Sequence, residues 1–306
     1  MAKKSHGGCL EMQKSSDSIA IVTDSASDIM GNIAKELGIS IIPIYIHHNG
    51  KESKDGIDID SNEIYRLQKE EKAIFSTSSP SPHDFLEIYR KLLIKHQRII
   101  SIHISSNLSA VIKSAHIAKD LLSAGERIEI FDSLSGTMGT GFMVLAAAKA
   151  VRKKYPFRKI LDILDFLRDN MRLYGTIGTL KYLRRSGRVP AIASLISRLL
   201  TIKPVLGIKN GVVGMIGISV TRYGSLREIT RRVVRDFKME RWVLVSVIHT
   251  LSLKESRKIH TNLQSHLNIV HSMVNKCTPA IGAHTGPGLI GIIICRLNRE
   301  TADLFI

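Results

Sequence analysis

RIISIHISSNLSAVIKSAHIAKDLLSAGERIEIFDS, residues 98–133, decides how the chain is read. It opens on an apolar run rich in β-branched residues, Arg98–Ile104, which predicts a strand. A polar turn, Ser105-Ser106-Asn107-Leu108-Ser109, leads into a helix expected to end near Ala124-Gly125, and Arg127–Phe131 predicts the next strand. Strand, polar turn, helix, strand implies a right-handed βαβ unit and a parallel sheet.

The same alternation extends outward in both directions. Upstream, Ser18–Thr23 reads as a strand followed by polar Asp24-Ser25-Ala26-Ser27-Asp28 and a helix to about Leu37. Ile39–Ile46 reads as a second strand, which Pro43 marks as an edge or irregular segment because proline donates no ladder hydrogen bond. Ser61–Glu71 is expected as a helix with Ser61 as its cap, and His47-His48 as a solvated loop. Phe75–Pro82 runs from a strand end into a helix start, with Ser81 as N-cap, Pro82 in the first turn, and Phe85, Tyr89, Leu92 and Leu93 as the buried stripe. Downstream, Asp132-Ser133 and a glycine-spaced turn open a helix to about Lys153. Ligands of such sheets sit outside the carboxyl ends of the strands. Four hydroxyl-rich segments are expected there: Asp24-Ser25, Thr77-Ser78, Ser105-Ser106 and Asp132-Ser133.

The second half reads differently. An amphipathic helix, Phe157–Met171, precedes two strands, Thr201–Lys209 and Val212–Thr221, flanking Asn210-Gly211, a strong hairpin signal that brings in antiparallel pairing. A helix over Ser225–Lys238 follows, then a strand at Trp242–Ile248, a helix from about Ser252 to His266, and a strand at Leu289–Cys295. Charge divides the chain in the same place. Residues 1–150 hold 17 Lys and Arg against 18 Asp and Glu, whereas residues 151–306 hold 27 against 9. The expected fold is therefore α/β with two domains, one mostly parallel with flanking helices and one with antiparallel strands. The boundary falls within 155–175, giving a polar extension at 1–17, a first domain at 18–165 and a basic second domain at 166–306.

Composition narrows the function. Of 306 residues 44% are hydrophobic and 23% charged, a globular composition that excludes disordered and collagen-like chains. Cys9, Cys277 and Cys295 form no CxxC pair and are too few to staple a fold, which points to a reducing compartment. No apolar run reaches about 18 residues; the best, Val189–Ile202, is broken by Arg198, and the first 18 residues lack a signal-like apolar stretch. A soluble cytoplasmic protein is expected. The net charge of +17 attracts acidic partners, but aromatic residues are only 5% and no nucleic-acid signature accompanies the charge. No nucleic-acid partner is expected.

No nucleophile elbow, Walker A sequence, HExxH or GxGxxG after a strand occurs in the chain. Three polar segments stand out instead: Thr77–Ser81, of which capping explains only the end; Ser105–Ser109; and Ala283–Gly288, where His-Thr precedes Gly-Pro-Gly. Together they suit an anion: hydroxyls donate to a carboxylate without a permanent charge, an imidazole adds a donor, and neither metal nor nucleophile is needed.

These segments resemble the DegV family, bacterial fatty-acid-binding subunits of fatty acid kinase. The ordered motifs are Thr-Asp-Ser-x-x-Asp (Thr23–Asp28), Thr-Ser-x-Pro-Ser (Thr77–Ser81), Ser-Ser-x-Leu-Ser (Ser105–Ser109), Asp132-Ser133, Leu-x-x-Ser-Gly-Arg (Leu183–Arg188), Lys-Pro-Val-Leu (Lys203–Leu206) and His-Thr-Gly-Pro-Gly (His284–Gly288). The resemblance implies a long-chain fatty acid buried between two α/β domains, with no cofactor. It places the carboxylate on Thr77, one of Ser105 and Ser106, and His284, with Ser78 and Thr285 beside them. It also implies that Arg188 and Arg222 lie where a separate kinase docks to phosphorylate the carboxyl group. The chain departs from the family at Ser79, where glutamine is common, at Ala110-Val111 after the Ser-Ser-x-Leu-Ser motif, and at Ser186 in place of the first glycine of Gly-Gly-Arg.

Energetics favour a lipid over a small acid. At about 0.8 kcal/mol per buried methylene, a sixteen-carbon chain gains on the order of 10 kcal/mol before ordering costs. The basic half would also suit brief contact with an anionic membrane surface. The alternative from another class is a serine hydrolase of acyl esters, with Ser105 or Ser106 as nucleophile and His284 as base.

Overall fold

The computed structural model describes residues 18–189 and 202–306; the 1–17 extension and residues 190–201 of the Val189–Ile202 run lie outside them. From the first described residues run β1 (Ile19–Asp24), a 3-10 turn (Ser25–Ser27), α1 (Gly31–Leu37), β2 (Ile39–Ile42), β3 (Tyr45–His48), β4 (Lys51–Lys54), α2 (Ser61–Glu70), β5 (Ser76–Ser78), α3 (Pro82–Lys95), β6 (Arg98–His103), α4 (Val111–Leu121), β7 (Ile128–Asp132), α5 (Met138–Arg152) and α6 (Phe157–Asn170). There follow β8 (Met171–Thr176), α7 (Leu180–Ser186), β9 (Lys203–Lys209), β10 (Val212–Ser219), α8 (Arg222–Phe237), β11 (Val243–His249), α9 (Leu253–Gln264), β12 (Ile269–Lys276), α10 (Pro279–Thr285), β13 (Ile290–Arg296) and α11 (Arg299–Ala302).

Two large sheets organise the molecule. The first, β2-β1-β6-β7, is parallel throughout, with Ile21 opposite both Ile39 and Ile100. A parallel sheet is covered on both faces, and the alternation along β1 assigns them. Ala20 and Val22 pack with Phe85, Tyr89, Val111 and Ala115 of α3 and α4, while Ile19 and Ile21 share a core with Phe142 and Met143 of α5. The second sheet runs β10-β9-β8-β13-β11-β12 and is antiparallel except for β11 and β12. One face carries α8 and α9; Leu244 and Ile293 on the other join the core that contains α5. The molecule is thus layered helix–sheet–helix–sheet–helix, α/β in class, as the sequence implied.

Several local expectations are corrected. Pro43 does not leave Ile39–Ile46 as one edge strand: it separates β2 from β3, and β3 joins a small antiparallel sheet, β4-β3-β5. His47-His48 is therefore strand, not loop, and Thr77-Ser78 lies in this small sheet rather than at the edge of the parallel one. Asp60, not Ser61, caps α2, because its carboxylate accepts from both Asn62 and Glu63 N–H. The Ser81 cap of α3 forms a full capping box with Asp84. At Asn210-Gly211 both residues have positive φ (50° and 76°), the left-handed geometry of a two-residue hairpin turn. Cys277 and Cys295 are buried free thiols. No helix among the described residues is long and apolar enough to cross a membrane.

One short helix crosses between lobes. Although α10 follows β12 of the second sheet, Ala280 belongs to the core of α3 and α4, and Ala283 to that of α2 and β3. Gly282 permits this approach: a Cβ there would overlap the Tyr65 ring.

Candidate functional site

Between the lobes lies a cavity of about 160 Å³. Its walls are apolar side chains from both halves: Ile104 and Leu108 from the first, Leu206, Ile208, Ile248 and Leu289 from the second. Polar side chains on the lining come from β5 and the residue after it (Thr77, Ser78, Ser79), the turn before α4 (Ser109), the residue before α5 (Thr137, whose buried hydroxyl has no partner among the described residues), Arg188 after α7, and the end of α10 (His284, Thr285).

The central contact is 2.7 Å between Thr77 Oγ1 and His284 Nε2. Pairing of Thr77 with Ile46 across β5 and β3 fixes one partner, and docking of α10 fixes the other. Burial holds the His284 imidazole down to about 4, helped by the Arg188 guanidinium. The ring is therefore neutral at neutral pH and offers one donor and one acceptor. Ser79 Oγ and Ser109 Oγ lie 3.0 Å apart, both on the cavity. Thr285 donates to Ile281 O within its own helix. Ser78 is also on the lining, but strand alternation turns its hydroxyl towards His47 Nε2 at 2.8 Å, and Glu52 lies beyond that ring.

The sequence also singles out Ser105, Ser106, Arg188 and Arg222. Ser105 is buried away from the lining, donating to Gly211 O (2.9 Å) and accepting from Asn107 N–H. Ser106 is exposed, with its backbone N–H facing the Asp132 carboxylate. The hydroxyl that this motif sends to the cavity is Ser109. Arg188, half-buried, lines the cavity, with Nη1 donating to Ser186 O. Arg222 is paired with Glu255 and donates to Gly288 O (2.7 Å), so it braces the Gly-Pro-Gly loop. Ser79 and Ser109, which the sequence reading did not single out as carboxylate donors, are on the lining. In the structure the cap position of α4 is Ala110, which has no side-chain cap hydrogen bond, so the helix start does not claim the Ser109 hydroxyl.

The hydrolase geometry is not formed, since His284 pairs with Thr77 and neither serine of the 105–106 pair reaches it. A different Asp–His–Ser line does occur, Asp24–His103–Ser101, at 2.9 and 2.7 Å, with Tyr89 donating to Ser101. Its four side chains are fully buried in the first lobe, where no substrate reaches them. Among the described residues no cluster of His, Cys, Asp and Glu is arranged to hold a metal.

The chain is thus a two-lobed α/β protein enclosing a mostly apolar cavity whose lining also carries hydroxyls and one imidazole. The chain belongs to the DegV family, whose model, described as "Uncharacterised protein, DegV family", matches residues 18–297. It is 30% identical over 277 residues to a DegV domain-containing protein of Deinococcus radiodurans, covering 90% of this chain and 98% of the relative. A DegV domain-containing protein of Caldanaerobacter subterraneus is 32% identical over 279 residues, covering 90% and 98%. Among solved structures, a DegV family protein from Thermus thermophilus described as fatty acid binding aligns with TM-score 0.86 and 28% identity, over 92% of this chain and all of that one. DegV of Bacillus subtilis, also described as a fatty acid binding protein, aligns with TM-score 0.82 and 27% identity over the same shares.

Proposed function

We propose that this protein binds a long-chain fatty acid, with the hydrocarbon tail in the interlobe cavity and the carboxylate at Thr77, Ser79, Ser109, His284 and Thr285. The observation that carries this reading is the 2.7 Å Thr77–His284 contact at the wall of an otherwise apolar cavity. The fatty-acid binding described for the Thermus and Bacillus relatives supports it. Among the described lining residues Arg188 is the permanent positive charge, which favours an anionic head. In this reading the lobes are domains at 18–165 and 166–306, except that α10 from the second completes the head-group end of the first. The protein carries the acid in the cytoplasm and presents its carboxyl group to a separate kinase for acyl-phosphate formation. The basic second half assists loading at anionic membrane surfaces, where each Lys or Arg contributes about 1 kcal/mol.

Native mass spectrometry of the purified protein, followed by organic extraction, tests the core of this reading. A co-purifying fatty acid, or stoichiometric uptake of palmitate by stripped protein, is the expected result. Stripped protein that takes up no C14–C18 acid would overturn it.

A further inference from the structure

The Thr23–Asp28 motif ends β1, yet none of its carboxyls lines the cavity. Asp28 and Asp55 instead reach the start of α10. Asp28 Oδ1 accepts the Thr278 N–H at 2.9 Å, and Asp55 Oδ1 accepts the Ala280 N–H at 3.2 Å. Thr278, the residue before the helix, supplies no side-chain cap, and Pro279 has no N–H to give. The capping of α10 therefore comes from residues more than two hundred positions away, on the other lobe. Both carboxyls are buried, and Asp55 is itself held by Ser25 Oγ, which donates to Oδ2 at 2.6 Å and accepts from Ile44 N–H. A seven-residue helix is too short to hold itself in place. Its other anchors are Gln68 Nε2 on Gly282 O and Tyr65 OH on Cys277 O, also from the first lobe.

The geometry points to Asp28 and Asp55 as positioning residues for the acyl site: by holding the first amides of α10 they fix His284 opposite Thr77, one helix length away. This inference rests on the fatty-acid reading of the cavity. Burying two acids at a helix start is costly when a serine cap would serve, which fits a role in placing the helix across the lobe boundary rather than in helix formation alone.

A double-mutant cycle tests it, with palmitate affinity of stripped protein as the readout. Asp55→Ala is expected to weaken binding about tenfold, about 1.4 kcal/mol. Asp55→Asn, which keeps an acceptor for Ala280 N–H, should bind within about twofold of wild type, an order-of-magnitude expectation for a retained neutral hydrogen bond. In a His284→Ala background the Asp55→Ala change should add less than about twofold, because residues acting through one contact are not additive. Equal weakening by Asp55→Ala in both backgrounds, or no rescue by asparagine, overturns the inference while leaving the acyl site standing. Unchanged affinity in His284→Ala overturns the site reading itself and this inference with it. If Asp55→Ala does not fold, Asp28→Ala, which removes the other acceptor, runs through the same cycle with the same outcomes.

Discussion

At the scale of single residues, His284 and two buried aspartates set the chemistry. Because burial and Arg188 hold His284 near 4, its ring does not titrate between pH 5.5 and 8, so palmitate affinity is expected to show no histidine step in that window. Isothermal titration at several pH values checks this, run on wild type and on Asp28→Asn and Asp55→Asn because those carboxyls titrate in the same window; a step near 6.5 that persists in both variants would contradict it. Thr77→Ala or His284→Ala is expected to weaken palmitate binding about tenfold or more, the cost of one lost hydrogen bond to a charged head, with the fold intact by circular dichroism. The aspartates respond to pH in a definite direction. Burial, with a contribution from Asp55, pushes Asp28 up from 3.8 to about 7; burial, with a contribution from Asp24, pushes Asp55 up to about 6. Between those values and 3.8 the folded protein holds protons that the unfolded chain has lost. The stability these groups contribute is therefore greatest below about 4, falls as pH rises towards 7, and levels off above. Urea unfolding at pH 5 and pH 8 should show that Asp28→Asn flattens this slope, by on the order of a few kcal/mol. Asp24, Tyr65 and Cys277 are the other titratable groups facing the pair, and the His103 contact of Asp24 is untouched by that change.

At the scale of elements, α10 and its glycine are the sensitive point. Gly282→Ala drives a methyl into the Tyr65 ring, so α10 must lift and carry His284 away from Thr77. The expected result is a loss of palmitate affinity together with a stability loss of about 1–3 kcal/mol, typical of overpacking. Calorimetry and binding on one preparation check both, and a variant weakened in stability alone would contradict the link. Elements also show what was legible in the chain. Alternating apolar strands and capped helices, such as Ile19–Asp24 and Pro82–Lys95, announce themselves locally, since burial on both faces and a capping box each leave a pattern in sequence. The α10 segment leaves none: PAIGAHT is short, and its caps are supplied from the other lobe. β12 was equally silent because IVHSMVNK mixes polar and apolar residues at an edge, where neither face is fully buried. Thr77 and His284 could be read because each stood unexplained by any turn or cap. That Ser105 and Ser106 are off the lining has a geometric reason: which hydroxyl of a five-residue loop faces a cavity depends on the hairpin at Asn210-Gly211 against which the loop packs.

At the scale of the whole molecule, the cavity has walls from both lobes, so an occupant bridges them. A ligand that binds only the folded form raises stability by RT ln(1 + [L]/Kd), about 2.7 kcal/mol at a hundredfold excess over Kd. Stripping lipid from the protein should therefore lower its melting temperature, and adding palmitate should restore it; an unchanged melting curve would contradict a closed interlobe site. Contact with membranes belongs to this scale too. The positive excess of residues 151–306 predicts faster loading from anionic than from neutral vesicles, with the difference vanishing in high salt. Equal rates at low salt would contradict it.

The place of β13 has a consequence for how the protein is made. This strand is hydrogen-bonded to β8 on one side and to β11 on the other, so it lies inside the second sheet although it follows every other strand of that sheet in sequence. A polypeptide growing from its amino end can complete the parallel sheet early, whereas β8 and β11 have no common neighbour until residue 296 has been synthesised. Until then the part of the cavity wall made by Leu289 and Gly291 is missing on the translating ribosome, and in the fatty-acid reading a ligand can be enclosed only after β13 has emerged.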